Sequence, residues 1–74
     1  MNFQQYPVTK TIEIEGQMIT VPLNTKFVTI DCCYNVQAWC AEPIPDDGWW
    51  TGNSLIMTVG EVSDCGNFGC HELN

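Results

Sequence analysis

Arginine is absent from this sequence and lysine occurs only at Lys10 and Lys26, against nine carboxylates in 74 residues. A net charge of −7 argues against direct binding to DNA or RNA, because neutralising phosphates requires Lys and Arg. No window approaches the ~20 apolar residues of a membrane span. The opening Met1-Asn2-Phe3-Gln4-Gln5-Tyr6-Pro7 lacks the basic run and the apolar stretch of about 7–15 residues that mark a secretory signal. These absences predict an intracellular, cytoplasmic polypeptide with no membrane partner. Helical periodicity is missing too, and no segment repeats. What remains is 45% hydrophobic and only 15% charged, too apolar for a disordered tail and too short for a second core. Residues 1–74 therefore read as a single small acidic β-rich domain.

Period-2 alternation supplies the strands. In Thr9–Glu15, Ile12 and Ile14 share one face while Glu13 and Glu15 share the other. Gly16-Gln17 then turns the chain into Met18–Val21, predicting a hairpin. Phe27–Asp31 is expected to pair with Val36–Ala41 across a Tyr34-Asn35 turn, with Asn35 left-handed and Val36, Ala38 and Cys40 on one face. Glu42–Gly48 reads as a loop, because two prolines restrict it and Asp-Gly closes it. Ser54–Val62 supplies a fifth strand, and from Ser63 the chain reads as irregular. The expectation is an all-β fold: a small antiparallel sheet of about five strands, as an SH3-like or OB-like barrel or a curled meander. Its buried set should include Ile12, Ile14, Val28, Ile30, Val36, Leu55, Met57 and Val59, or their alternate-face neighbours.

The five cysteines are Cys32, Cys33, Cys40, Cys65 and Cys70. An odd number leaves one thiol outside any intramolecular disulfide framework, and a reducing cytosol predicts free thiols. Cys65, Cys70, His71 and Cys40 form the best metal candidate. No Cys-x-x-Cys pair exists, however, and Cys32 and Cys33 are expected on opposite faces of a strand. No cofactor is expected, and folding should not need zinc. Catalysis has little support: His71 lies near the C-terminus, a Cys70–His71 pair lacks a group to orient the base, and Asp46-Asp47 look like turn residues. The chain reads as a non-enzyme.

The carboxylates point elsewhere. Glu13 and Glu15 repeat every ~6.6–6.8 Å along one strand face. Asp31, Glu42, Asp46, Asp47, Glu61, Asp64 and Glu72 would extend this negative surface. Either it is a solvated face, or it imitates nucleic acid toward a basic partner. Trp49 and Trp50 likewise either pack over a thin core or anchor an interface, where Trp is enriched.

Asp46-Asp47-Gly48-Trp49-Trp50-Thr51-Gly52 resembles the Asp-Gly-Trp-Trp-x-Gly stretch of SH3 domains, in which the first Trp lines a groove for proline-rich peptides. The opening and closing tyrosine motifs of that family are not present. Residues 26–62, with Phe27–Asp31, a tight turn, Val36–Trp39, Glu42-x-Pro and a Trp-containing loop, are similar to small accessory proteins encoded by bacteriophages. Cys32-Cys33-Tyr34-Asn35 stands where that group carries Asp-x-Asp-Gly. This resemblance implies a phage product that interferes with a host or defence protein, for example of anti-CRISPR type. The expected function is a protein-binding inhibitor acting in the host cytoplasm on a larger protein with a basic, nucleic-acid-facing surface. Its expected contact residues are Trp49, Trp50, Asp46, Asp47, Glu13 and Glu15, and it is expected as a monomer or small homo-oligomer. The alternatives are a self-associating assembly module and a zinc-stabilised adaptor.

Overall fold

The computed structural model describes residues 1–4, 8–14, 16–63 and 69–73. These residues hold strands and no helix: β1 (Thr9–Ile14), β2 (Gln17–Pro22), β3 (Phe27–Ile30), β4 (Asn35–Trp39), β5 (Ile44–Asp46), β6 (Trp49–Thr51), β7 (Leu55–Glu61) and β8 (Gly69–Glu72). All pairings are antiparallel. The central sheet runs β7-β4-β3-β8, and β1-β2 and β5-β6 are separate two-stranded ribbons. None of these sheets closes into a barrel. Because β8 returns to lie beside β3, the strand order is that of a Greek key rather than a meander.

Each ribbon covers one face of the central sheet. Register places Val28 opposite Ala38 and Ile30 opposite Val36, so these four share a face. They form one apolar cluster with Ile14 and Val21, against which Ile12 and Ile19 also pack. The alternation of β1 and β2 turns these isoleucines and Val21 toward the sheet. On the opposite face Trp39 is 1% exposed, and its indole N–H donates to the Thr29 hydroxyl at 2.8 Å. The chain between β4 and β7 covers that ring: a Cβ on Gly52 would lie 3.5 Å from the Trp39 Cζ3 atom. Val28, Thr29 and Ile30 are consequently all buried, and β3 is enclosed on both faces and both edges.

The expected burial of Leu55 and Met57 is corrected: they are 45% and 48% exposed. The register between β4 and β7 shifts at Val36/Gln37 and again at Ala38/Trp39. Gly60 and Thr58 are paired while Val59 is skipped; Met57 and Leu55 are paired while Ile56 is skipped. Each skipped residue is a bulge that resets which way the following side chains point. The half-buried apolar residues are therefore Ile56, Val59 and Val62, spaced by three, where simple alternation selected Leu55, Met57 and Val59.

Other expectations also need correction. The segment from Ser63 is not irregular throughout, because Gly69–Glu72 forms β8 on the open edge of β3. The Glu42–Gly48 loop contains β5, which pairs with Trp49–Thr51. Cys40 lies just beyond β4 and is exposed, so it does not continue the buried face of Val36 and Ala38. Tyr34, not Asn35, takes the left-handed conformation (φ 68°), while Asn35 begins β4.

Asp31 explains that turn. It is 1% exposed and so contributes nothing to an acidic surface. Its Oδ1 accepts the Cys33 N–H at 2.9 Å and the Asn35 N–H at 3.0 Å, and Oδ2 accepts the Asn35 side-chain amide at 3.4 Å. The Tyr34 N–H donates to the Asp31 carbonyl at 3.0 Å. A carboxylate that closes the turn on three donors is a strong local organiser, since charge-assisted bonds exceed neutral ones. Asp31→Asn keeps the shape and loses the charge. It is expected to cost about 1 kcal/mol, read as a lower urea midpoint with an unchanged slope; an unaltered midpoint would remove this role.

Candidate functional site

The turn held by Asp31 braces the hairpin that carries the tryptophans. The Cys32 N–H donates to the Gly48 carbonyl at 3.0 Å, and a Cβ on Gly48 would lie 3.3 Å from the Cys32 Sγ atom. Asp47 (φ 51°) and Gly48 (φ 88°) both occupy the left-handed region, as a type I′ hairpin turn requires. Gly48 thus satisfies two demands, the backbone twist and the close approach of Cys32.

From this turn the two tryptophans diverge. Register pairs Asp46 with Trp49, Pro45 with Trp50 and Ile44 with Thr51. Ile44, Asp46, Trp49 and Thr51 therefore share one face, and all four are exposed. Trp49 is 46% exposed. Trp50 lies on the other face, half-buried, with its indole N–H donating to the Ile30 carbonyl at 3.4 Å. Trp50 packs on the sheet and Trp49 is presented to solvent. Asp46 stands directly across from Trp49, Asp47 is in the adjoining turn, and exposed Glu42 precedes β5.

The structure separates Glu13 from this group. Glu13 lies on the outward face of the β1-β2 ribbon, opposite Met18; that ribbon packs on the Val28 and Ala38 face of the central sheet, whereas the chain flanking the Trp49 hairpin packs against Trp39. Glu15 lies outside the described residues. The acidic surface is thus divided between two sides, with Asp31 removed into the interior. Its counter-charges stand apart: Lys10 donates from Nζ to the Thr25 carbonyl at 2.9 Å, and Lys26 precedes β3.

The metal candidates are dispersed. Cys65 lies outside the described residues. Cys70 and His71 are successive residues of β8 and point to opposite faces. Among the described residues no three His, Cys, Asp or Glu side chains converge on a possible cation site. Cys32, Cys33, Cys40 and Cys70 are free and exposed. Partial loss of water, then the charges of Glu42 and Glu72, push the Cys70 thiol up. Cys32 and Cys33 lie in the turn rather than on a strand. The Cys32 thiol is also pushed up, first by loss of water and then by its hydrogen bond to Cys33.

Sequence reasoning overlooked the positioning role of Asp31. Its signal was local: an Asp at the end of a strand with Asn four residues later is suited to bonding its own turn. Compared with protein-family models, curated proteins and solved structures, the chain matches none of them.

Proposed function

We infer that this protein is a small acidic protein-binding modulator that occupies the basic, nucleic-acid-facing surface of a larger protein. The observation that carries the reading is the placement of Trp49: half-exposed, braced from behind through Gly48, and flanked by Asp46 and Asp47. A rigid aromatic supplies an anchor that is desolvated on contact. Carboxylates around it steer a basic partner and set orientation. A phage origin and an anti-defence role, of anti-CRISPR type among others, fit this chemistry and rest on the resemblance over residues 26–62. The SH3 likeness belongs to the same proposal as a statement about local design: an Asp-Gly turn that presents the first of two tryptophans.

A pull-down from host lysate followed by binding kinetics across ionic strength tests the reading. Asp46→Asn with Asp47→Asn keeps the turn, because Asn also adopts the left-handed conformation. This double change is expected to slow association and flatten its salt dependence, with dissociation little altered. A partner that contacts the protein through an acidic surface would overturn the proposal. The second reading, a self-associating assembly module, draws on β7, an edge strand with exposed Leu55 and Met57. A closed ring in sedimentation would favour it.

A further inference from the structure

The β1-β2 ribbon has an open side whose chemistry can be read residue by residue. The Leu23 N–H donates to the Val8 carbonyl at 2.9 Å, which fixes the phase of the ladder. Bonded pairs alternate with non-bonded ones in antiparallel strands. Counting by two along the register, Lys10–Val21, Ile12–Ile19 and Ile14–Gln17 are the bonded pairs. Thr11–Thr20 and Glu13–Met18 are non-bonded pairs, and the Thr11 and Thr20 hydroxyls 3.4 Å apart agree with their closer side chains. The backbone N–H and C=O groups of Met18 and Thr20 therefore point away from β1. No strand pairs with that edge among the described residues.

Those groups open onto a cleft of about 570 Å³ between β2 and the end of β7. Met18 and Thr20 form one wall, and Val36, Val59, Glu61 and Val62 line the other. Val59 and Val62, half-buried against the core cluster, supply apolar surface within the cleft. The rim is acidic: Glu61 lines the cleft, and Glu13 pairs directly with Met18. Lys10 lies at the other end of the ribbon, opposite Val21, and no described lysine lines the cleft.

We propose that this cleft takes an extended basic segment of another protein as a third strand on β2. Alternate apolar side chains of the segment rest on Val59 and Val62, and its Lys or Arg side chains face Glu61 and Glu13. Main-chain bonds to Met18 and Thr20 supply affinity, and the alternating side chains supply specificity. Charge selects the occupant: a second copy of this chain brings net charge −7 to an acidic rim, whereas a basic segment is attracted to it. The surface includes no residue of the Trp49 hairpin, so the inference stands independently of the proposed function.

The probe is a fluorescein-labelled acetyl-Lys-Val-Lys-Val-Lys-Val-Lys amide, titrated into the full chain and followed by anisotropy. Saturable binding is expected, with the Met18 and Thr20 amides gaining protection from hydrogen exchange. Thr20→Pro removes one edge donor without touching a bond to β1, and should weaken binding roughly tenfold. The matched change Thr11→Pro, on the far edge of β1, should bind as wild type. A peptide N-methylated on alternate residues should also bind roughly tenfold more weakly to the wild type, which reads the edge bonds without altering the protein. Glu61→Gln should flatten the salt dependence. Equal binding of the N-methylated peptide, equal binding of a Glu-Val analogue, or no saturation would overturn the assignment. So would a dimer of the protein alone that Thr20→Pro dissolves, since the occupant would then be a second copy.

Discussion

Trp39→Ala is expected to remove between about a quarter and all of the protein's stability at 25 °C. Truncating a buried Trp costs roughly 3–5 kcal/mol through lost contacts and the cavity left behind. A 74-residue domain has only about 4–11 kcal/mol in total at 0.05–0.15 kcal/mol per residue. The ring is 1% exposed, donates to Thr29 and lies against the backbone at Gly52. Two milder changes separate its contributions. Thr29→Val removes the acceptor at nearly constant shape and strands the buried indole N–H, costing about 1–3 kcal/mol. Trp39→Phe combined with Thr29→Val removes donor and acceptor together and should recover part of that loss. Urea unfolding followed by far-UV circular dichroism reads all of these, and a Trp39→Ala midpoint equal to wild type would refute the role.

The second large effect concerns binding. Trp49→Ala should reduce affinity for the partner by about 2 kcal/mol or more, some thirtyfold, chiefly through faster dissociation. Thermal stability should change little, because the ring stands outward from its hairpin. Trp50→Ala should show the reverse pattern, since Trp50 packs inward and bonds to β3. Comparing the two neighbours under identical conditions removes most shared causes. Equal loss of affinity from both, in step with equal loss of stability, would mean that the hairpin acts only as a scaffold.

Sequence patterning reached the two hairpins whose alternation is undisturbed. Ile12 and Ile14 in β1, and Val28, Ile30, Val36 and Ala38 in β3 and β4, lie where period-2 reasoning puts them. It failed in β7 because bulges are defined by the partner strand: nothing local to Leu55–Glu61 says that Ile56 and Val59 will be skipped. It missed β8 because Gly69-Cys70-His71-Glu72 has no strand signature of its own and is recruited by the unfilled edge of β3. β5 and β6 escaped because a proline and an Asp-Gly turn dominate a three-residue strand on each side. Of the candidate site, Trp49, Asp46 and Asp47 were visible as a cluster. The opposite orientations of Trp49 and Trp50, and the remoteness of Glu13, depend on pairing and layer order. The open edge at Met18 and Thr20 was invisible, because an unmade bond leaves no trace in composition.

The position of β8 has a consequence for how the chain is made. β3 is the most enclosed strand, yet one of its two neighbours is translated about forty residues later: Phe27 pairs with Glu72 and Ile30 with Gly69. Synthesis at roughly 5–20 residues per second leaves β3 with one vacant edge for several seconds after it is made. Pairings this distant in sequence also close late, since their loop entropy is overcome before their contacts form. The nascent chain therefore carries an apolar strand able to accept another chain's backbone until β8 arrives. Expression at lower temperature should affect soluble yield through this interval, independently of the stability of the finished fold.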